Sequence, residues 1–533
     1  MKAPARATRA LWLLALLALA PVCARAQDTA APAYKIAYNI GMTDPASHVF
    51  RVEVRVEGLT SIGHVDFQMP RWSPGRYAVF DFAKNVYGAR ALGPCHRNER
   101  CGTKGYPVER IDTQTWRVSA PELSKITFSY NVYADDLSGT FSQLDARHAN
   151  FNGASVFVYV VGHKHDPVTL KVGAPAGWKV FNFPNYDVLI DTPTEVAPDF
   201  NVQTFEVAGK TYRVLTHSFG DEGGRRGELA KAVERVVRAE VATMPEPDYE
   251  QYTFLFHFDP KARRGDGMEH LNSTQIVENG ALADRDIFEG AVGTAAHEFY
   301  HVWNVKRLRP EGLGPWDFTR PVVTRGLWIA EGFTNYFGKL AQRRAGLWDD
   351  EQLLQSYAAA IGGIESAPGS RLTSAVEASL LAPFIDRASS EQRTNLPETV
   401  VSYYPKGETL AVALDLLIRG RSKGRASLET VMRRAYEEFY LKGRSDSYYL
   451  KGRAYAVEEF ESLASETSGV DLSDFFRRHA HDVQPPPYEE AFGYVGLRLT
   501  RTADGARTNY RIEKDDKASP EARALREAWL KGK

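Results

Sequence analysis

A chain of 533 residues is too long for one compact core, so about two to four domains are expected. Hydrophobic residues make up 43% and charged residues 25%, and 66 Lys plus Arg balance 67 Asp plus Glu to a formal charge of −1. That balance gives no electrostatic footprint for nucleic acid, and without a fixed-period repeat or a long low-complexity tract the chain is neither a solenoid nor mostly disordered.

The first 26 residues read as an export signal. Lys2, Arg6 and Arg9 precede the apolar run Leu11 to Ala20, and Ala24-Arg25-Ala26 is a small-x-small cleavage site. The run is short for a membrane span, so no stable membrane insertion is expected after cleavage, and the mature chain is expected in the periplasm or outside the cell. Cleavage leaves Cys95 and Cys101 as the remaining cysteines. In an oxidising compartment they are expected to close a short disulfide loop, the alternative being a metal site that uses His96.

Residues 34–205 read as β-rich. Phe50, Val52, Val54 and Val56 alternate with Arg51, Glu53 and Arg55, and Ile126, Phe128, Tyr130 and Val132 repeat the period of two. Turn clusters such as Trp72-Ser73-Pro74-Gly75 separate such runs, which predicts a sandwich-like antiparallel domain. From about Thr211 the texture changes. Gly227–Met244 carries apolar residues at helical spacing, Tyr252–Phe258 is an apolar strand, and helical patterns then cover Ile287–Asn304, Gly326–Arg343, Asp350–Ile361, Gly407–Arg419 and Leu428–Phe439. A strand-containing part followed by a helical part predicts an α+β domain over 211–487, ending near Pro485-Pro486-Pro487. Residues 488–533 are too few for an independent domain and read as a short C-terminal extension.

His297-Glu298-Phe299-Tyr300-His301 carries the strongest chemistry. Histidines at i and i+4 lie one turn apart on one helix face, so both imidazoles reach a single metal, while the intervening Glu298 sits beside that face as a base acting on water. Asp286 and Glu289 resemble a capping box ahead of this helix. Zinc held by two histidines needs a third protein ligand and an open position. Glu331, a lone carboxylate in the apolar stretch Leu327–Phe333, fits that need; an ion pair with Arg325 or Lys339 is the alternative.

His297–Pro310 (His-Glu-Phe-Tyr-His-Val-Trp-Asn-Val-Lys-Arg-Leu-Arg-Pro) and Trp328–Tyr336 (Trp-Ile-Ala-Glu-Gly-Phe-Thr-Asn-Tyr) resemble the glycyl aminopeptidase family of gluzincin zinc metallopeptidases. Pro70–Tyr77 and Tyr186–Pro193 are similar to signatures of that family's N-terminal β-domain, and Ser402–Gly407 to its catalytic-tyrosine motif. The resemblance runs in order from about Tyr34 to Tyr494. It implies a multidomain fold: an N-terminal β-sandwich-like domain, then an α+β thermolysin-like catalytic domain with a helical C-terminal half. It also implies one Zn²⁺ per chain, held by His297, His301 and Glu331, with Glu298 as base and a peptide as substrate. Tyr404 matches the tyrosine that donates to the tetrahedral oxyanion, with Tyr403 its rival. Glu269, in Gly267-Met268-Glu269-His270, resembles the glutamate that binds the substrate's free amine, although His270 stands where relatives carry Asn. Lys306, Arg307 and Arg309 read as cations near a helix C-terminus, and Asn335 as a partner for a zinc ligand. The extension 488–533 resembles a truncated PDZ remnant, without the glycine loop that binds a peptide tail. The expected activity is zinc-dependent removal of small N-terminal residues, Gly or Ala. The rivals are a zinc endopeptidase or another zinc hydrolase on the same site, and a periplasmic binding protein built on a peptidase scaffold.

Overall fold

Period-two alternation builds the N-terminal half. In the strand Val49–Glu57, Phe50, Val52, Val54 and Val56 are all buried while Arg51, Glu53 and Arg55 face solvent. Each such side chain taken from water contributes about 1.5–3 kcal/mol, and a one-residue slip would expose the whole set, which fixes the register. Val49–Glu57 pairs antiparallel with Lys35–Gly41 on one side and Lys125–Tyr133 on the other, inside a seven-stranded sheet. Lys35–Gly41 also runs parallel to Val168–Ala174. A four-stranded sheet containing His64–Gln68 and Thr115–Ser119 faces it, with Phe67 stacked on Phe128 at 4.4 Å between ring centroids. This computed structural model describes residues 33–59, 63–94, 103–119, 123–174, 177–386, 396–504 and 507–532. The segment expected to be an export signal and the Cys95–Cys101 pair lie outside the described residues.

A five-stranded mixed sheet follows, in the order Asn201–Val207, Lys210–Ser218, Gln251–Phe258, Ser273–Glu278, Asp266–Glu269. The three central strands are parallel and both edges antiparallel. Asn201–Val207 forms a hairpin with Lys210–Ser218, so the chain enters this sheet before the change of texture at Thr211. The helix Arg226–Val241 makes the crossover between parallel strands and buries Leu229, Val233, Val236 and Val237.

The remainder is mainly helical. Helix Arg285–Tyr300 is capped by Asp284, whose side chain accepts from the Asp286 amide at 2.9 Å. The cap therefore lies two residues before the Asp286/Glu289 pair the sequence suggests, and Glu289 instead pairs with Arg285. The stretch expected as one helix from Gly326 is two, Leu327–Ala330 and Gly332–Arg344, with Glu331 at the joint. Gly332 meets Gly407, on helix Tyr403–Arg421, so closely that a Cβ on Gly332 would lie 2.3 Å from Gly407 backbone and one on Gly407 2.0 Å from the Trp328 carbonyl. Only glycine permits this crossing, and it ties the Glu331 joint to the start of the helix bearing Tyr403 and Tyr404. The C-terminal extension forms the hairpin Leu497–Asp504/Arg507–Lys514 and the helix Pro520–Lys531, whose buried Trp529 donates its indole N–H to the Tyr336 hydroxyl at 2.8 Å. Residues Tyr34–Lys533 form one compact unit. Among the described residues, no helix is long and apolar enough to cross a membrane.

Candidate active site

Three ligand atoms converge where helix Arg285–Tyr300 meets the Glu331 joint. His297 Nε2 and His301 Nε2 are 3.1 Å apart, and each lies 3.3 Å from Glu331 Oε2. A tetrahedral zinc with bonds of about 2.0–2.1 Å holds its ligands about 3.3 Å apart, which is the spacing of this triad. The charges agree with the spacing. Burial alone raises the Glu331 carboxyl, yet the imidazoles of His301 and His297 outweigh it and hold it well below the usual carboxylate range. Burial lowers His301, but Glu331 opposes that and carries it up to about 9. The pocket thus favours positive charge between these groups, and the donor set suits zinc.

Neighbouring groups orient His301 and Glu331, whereas the buried Nδ1 of His297 has no hydrogen-bond partner. The His301 Nδ1–H donates to the Asn304 carbonyl at 2.7 Å, leaving Nε2 bare toward the other ligands. The fully buried Asn304 amide donates to the carbonyls of Ile329 (2.9 Å) and Ala330 (3.0 Å) and to Thr334 Oγ1 (3.1 Å), so one side chain staples the end of the histidine segment to the Glu331 joint. The Tyr77 hydroxyl donates to the second oxygen of Glu331. Neither ion-pair alternative for Glu331 is realised, because Arg325 pairs with Glu458 and Lys339 with Glu408.

All six expected site residues line one cleft of about 570 Å³: His297, His301, Glu331, Glu298, Glu269 and Tyr404. Glu298 is 6% exposed and its Oε2 has no hydrogen-bond partner. Burial pushes its carboxyl up to about 8, with Glu269 and Glu331 adding and His297 opposing; a cation in the triad acts in the same sense as His297. Glu269, at the end of the edge strand Asp266–Glu269, is 3% exposed, and its Oε1 is likewise buried without a partner. It packs on Gly75, where φ is +83° and a Cβ would come within 2.5 Å of both the Glu269 carboxylate and the Met268 sulfur. Tyr403 and Tyr404 both border the cleft, with rings stacked at 4.8 Å. Tyr404 is half-buried with its ring 6.2 Å from that of His297, whereas Tyr403 is 1% exposed and packs on Tyr77. Burial raises both phenols well above their usual range, so each keeps its proton at neutral pH.

Residues 37–198 match the Peptidase M61 N-terminal domain, and residues 290–410, which hold the triad, match the M61 glycyl aminopeptidase domain. The chain belongs to the M61 glycyl aminopeptidase family. It is a zinc metallopeptidase. Among solved structures it is similar to an aminopeptidase N family protein from Idiomarina loihiensis, with a TM-score of 0.77 and 25% identity over 88% of this chain and 79% of that one. It is also similar, at a TM-score of 0.46 and 15% identity over 85% and 95% of the two chains, to an M1 zinc metallopeptidase from Deinococcus radiodurans. No curated protein sequence matches the chain.

For this M61 peptidase the two N-terminal motifs, Pro70–Tyr77 and Tyr186–Pro193, now have physical roles. Tyr77 supports Glu331, and the adjacent Arg76 donates to Asp266 Oδ2 at 2.7 Å and to the Gly267 carbonyl at 2.9 Å, fixing the strand that carries Glu269. Asp191 accepts from Lys306 Nζ at 3.0 Å and from the Leu271 amide at 3.1 Å, and lies 3.1 Å from His270 Nδ1. His270, the departure from the usual Asn, is therefore part of a buried clamp between the two halves. Arg307 donates to the Val302 carbonyl at 2.9 Å, just past the end of helix Arg285–Tyr300, and Lys306, Arg307 and Arg309 also have specific partners elsewhere. They are buried, Lys306 and Arg307 paired with Asp191 and Asp248 and Arg309 donating to the carbonyls of Lys451 and Gly452. Asn335 borders the cleft, but the partners of the ligands are Tyr77, Asn304 and Thr334. Tyr77 and Asn304 stand inside the motifs already singled out; what the sequence lacks is any sign of which motif residue turns toward which ligand.

Proposed function

We propose that this zinc aminopeptidase removes small N-terminal residues, Gly or Ala, from peptides, with His297, His301 and Glu331 as zinc ligands and Glu269, Glu298 and Tyr404 acting on the substrate. The observation that carries the reading is the buried, unpartnered Glu269 Oε1 in the same cleft as the triad. An unpaired carboxylate is costly to bury, and a substrate's terminal ammonium would satisfy it while fixing the first peptide bond at the metal. Zinc, when bound, supplies Lewis acidity toward the scissile carbonyl. Glu298 takes a proton from the attacking water and returns it to the leaving nitrogen as the C–N bond breaks, leaving a carboxylate and a free amine. The Tyr404 hydroxyl donates to the oxygen on which negative charge develops. The preference for a small first residue rests on the family's glycyl specificity. The Lys2–Ala26 segment supports delivery of the enzyme to the periplasm or beyond.

Glycyl- and alanyl-anilides, compared with their N-acetylated forms before and after chelation and zinc return, test the reading. Cleavage is expected to need both zinc and the free amine. In Glu269→Gln the preference for free over acetylated substrate should fall about 10- to 100-fold, the worth of one charge-assisted pair. Equal cleavage of the blocked substrates by the parent enzyme would turn the assignment toward an endopeptidase.

A further inference from the structure

A second group of metal-ligand side chains lies away from the cleft: His148, Glu195, His217 and His257. Their ligand atoms all fall within 4.8 Å of one another. Glu195 Oε1 is 2.9 Å from His148 Nδ1 and 2.7 Å from His217 Nδ1, and Oε2 is 3.0 Å from His257 Nε2. The four side chains are between 0% and 8% exposed. Glu195 lies in the strand Thr194–Val196, which pairs with Ala149–Phe151 just after His148, while His217 and His257 are register partners on adjacent parallel strands of the five-stranded sheet. The cluster therefore joins two sheets and stands on rigid elements.

Beyond Glu195, His148 Nε2 faces the Gln143 amide oxygen at 3.0 Å, and the buried Nδ1 of His257 has no hydrogen-bond partner. Four buried side chains thus turn their ligand atoms onto one point, where a cation held by all of them would offset the charge of the carboxylate. Three imidazoles and a carboxylate offering both oxygens make a closed donor set for a divalent first-row transition ion, and cis separations just under 3 Å suit five donors around one ion at about 2.1 Å.

We propose that His148, Glu195, His217 and His257 bind a second, structural divalent transition-metal ion, zinc or a chemical equivalent, that fastens the strand pair Ala149–Phe151/Thr194–Val196 to the catalytic sheet. The test is metal stoichiometry of the full chain after saturation with Zn²⁺ and removal of loose ion. Two zinc per chain are expected in the parent, one in His297→Ala, and none in His297→Ala/Glu195→Gln. Co²⁺ titration of His297→Ala gives a second readout that needs no further variant: visible d–d absorption saturating at one equivalent. Parent protein holding a single zinc, with His297→Ala holding none and giving no cobalt spectrum while its circular dichroism stays native, overturns the proposal. If Glu195→Gln fails to fold, the parent and His297→Ala stoichiometries still decide.

Discussion

Two His/Glu clusters in this molecule share their chemistry and differ in what surrounds them. Around Glu331 there are three ligand atoms at 3.1–3.3 Å, opening onto a cleft of about 570 Å³ that also holds Glu298, Glu269 and Tyr404. Around Glu195 there are three imidazoles and a carboxylate at 2.7–3.0 Å, sealed between sheets. Burial raises both carboxyls, and in both cases the imidazoles outweigh it and hold them well below the usual range. The lesson is that an anionic residue among histidines does not by itself make a reactive centre. What sets the Glu331 site apart is the cleft it opens onto and the unpartnered Glu298 Oε2 and Glu269 Oε1 beside it.

The largest expected effect breaks the open site without emptying it. Glu298→Gln should retain zinc and lose at least ~10²-fold in rate, because general-base catalysis typically contributes about 10²- to 10⁴-fold. Zinc retained with near-normal turnover would take the base role from Glu298. Tyr404→Phe should cost on the order of 10²-fold in kcat through the lost oxyanion donor; an unchanged kcat would transfer that role to Tyr403. Next in size are the groups that orient ligands. Tyr77→Phe and Asn304→Ala should each weaken zinc affinity about 10- to 100-fold in competition with a chelator, since outer hydrogen bonds typically carry that much. Unchanged affinity in both would mean that the Gly332–Gly407 crossing alone positions Glu331.

Much of the open site was legible in the sequence, and little of the closed one. His297, Glu298 and His301 sit within one helical turn and a half, and Glu331 announces itself as a charge in an apolar run, so local spacing predicts the triad. Period-two alternation likewise reveals the strands Val49–Glu57 and Lys125–Tyr133. His148, Glu195, His217 and His257 share no spacing, because strand pairing rather than helical periodicity brings them together. Tyr77 and Asp191 were visible as motif residues, but their targets lie 254 and 115 residues away at Glu331 and Lys306, and nothing local encodes such a pairing. The break at Glu331 was hidden for a different reason: an apolar run with helical spacing reads through a joint that tertiary packing imposes.

The last effect sharpens the role of the imidazoles by removing them from the comparison. Glu278 borders the same cleft and is 9% exposed, but burial is its dominant influence, eased only by a hydrogen bond from Thr294, and its carboxyl rises to about 7. The folded protein therefore holds this proton more tightly than the unfolded chain. The resulting stability is fully present below about 4.5, the ordinary value, and is lost as pH rises through about 7. The difference between those two values corresponds to about 3 kcal/mol. Glu278→Gln, which is neutral throughout, should unfold at nearly the same urea concentration as its parent at about pH 4 and be more stable by up to about 3 kcal/mol at about pH 8. Taking the variant-minus-parent difference cancels the titration of every other group. A difference that does not change with pH would mean that a cation reaches Glu278 and steadies it, as the imidazoles steady Glu331 and Glu195.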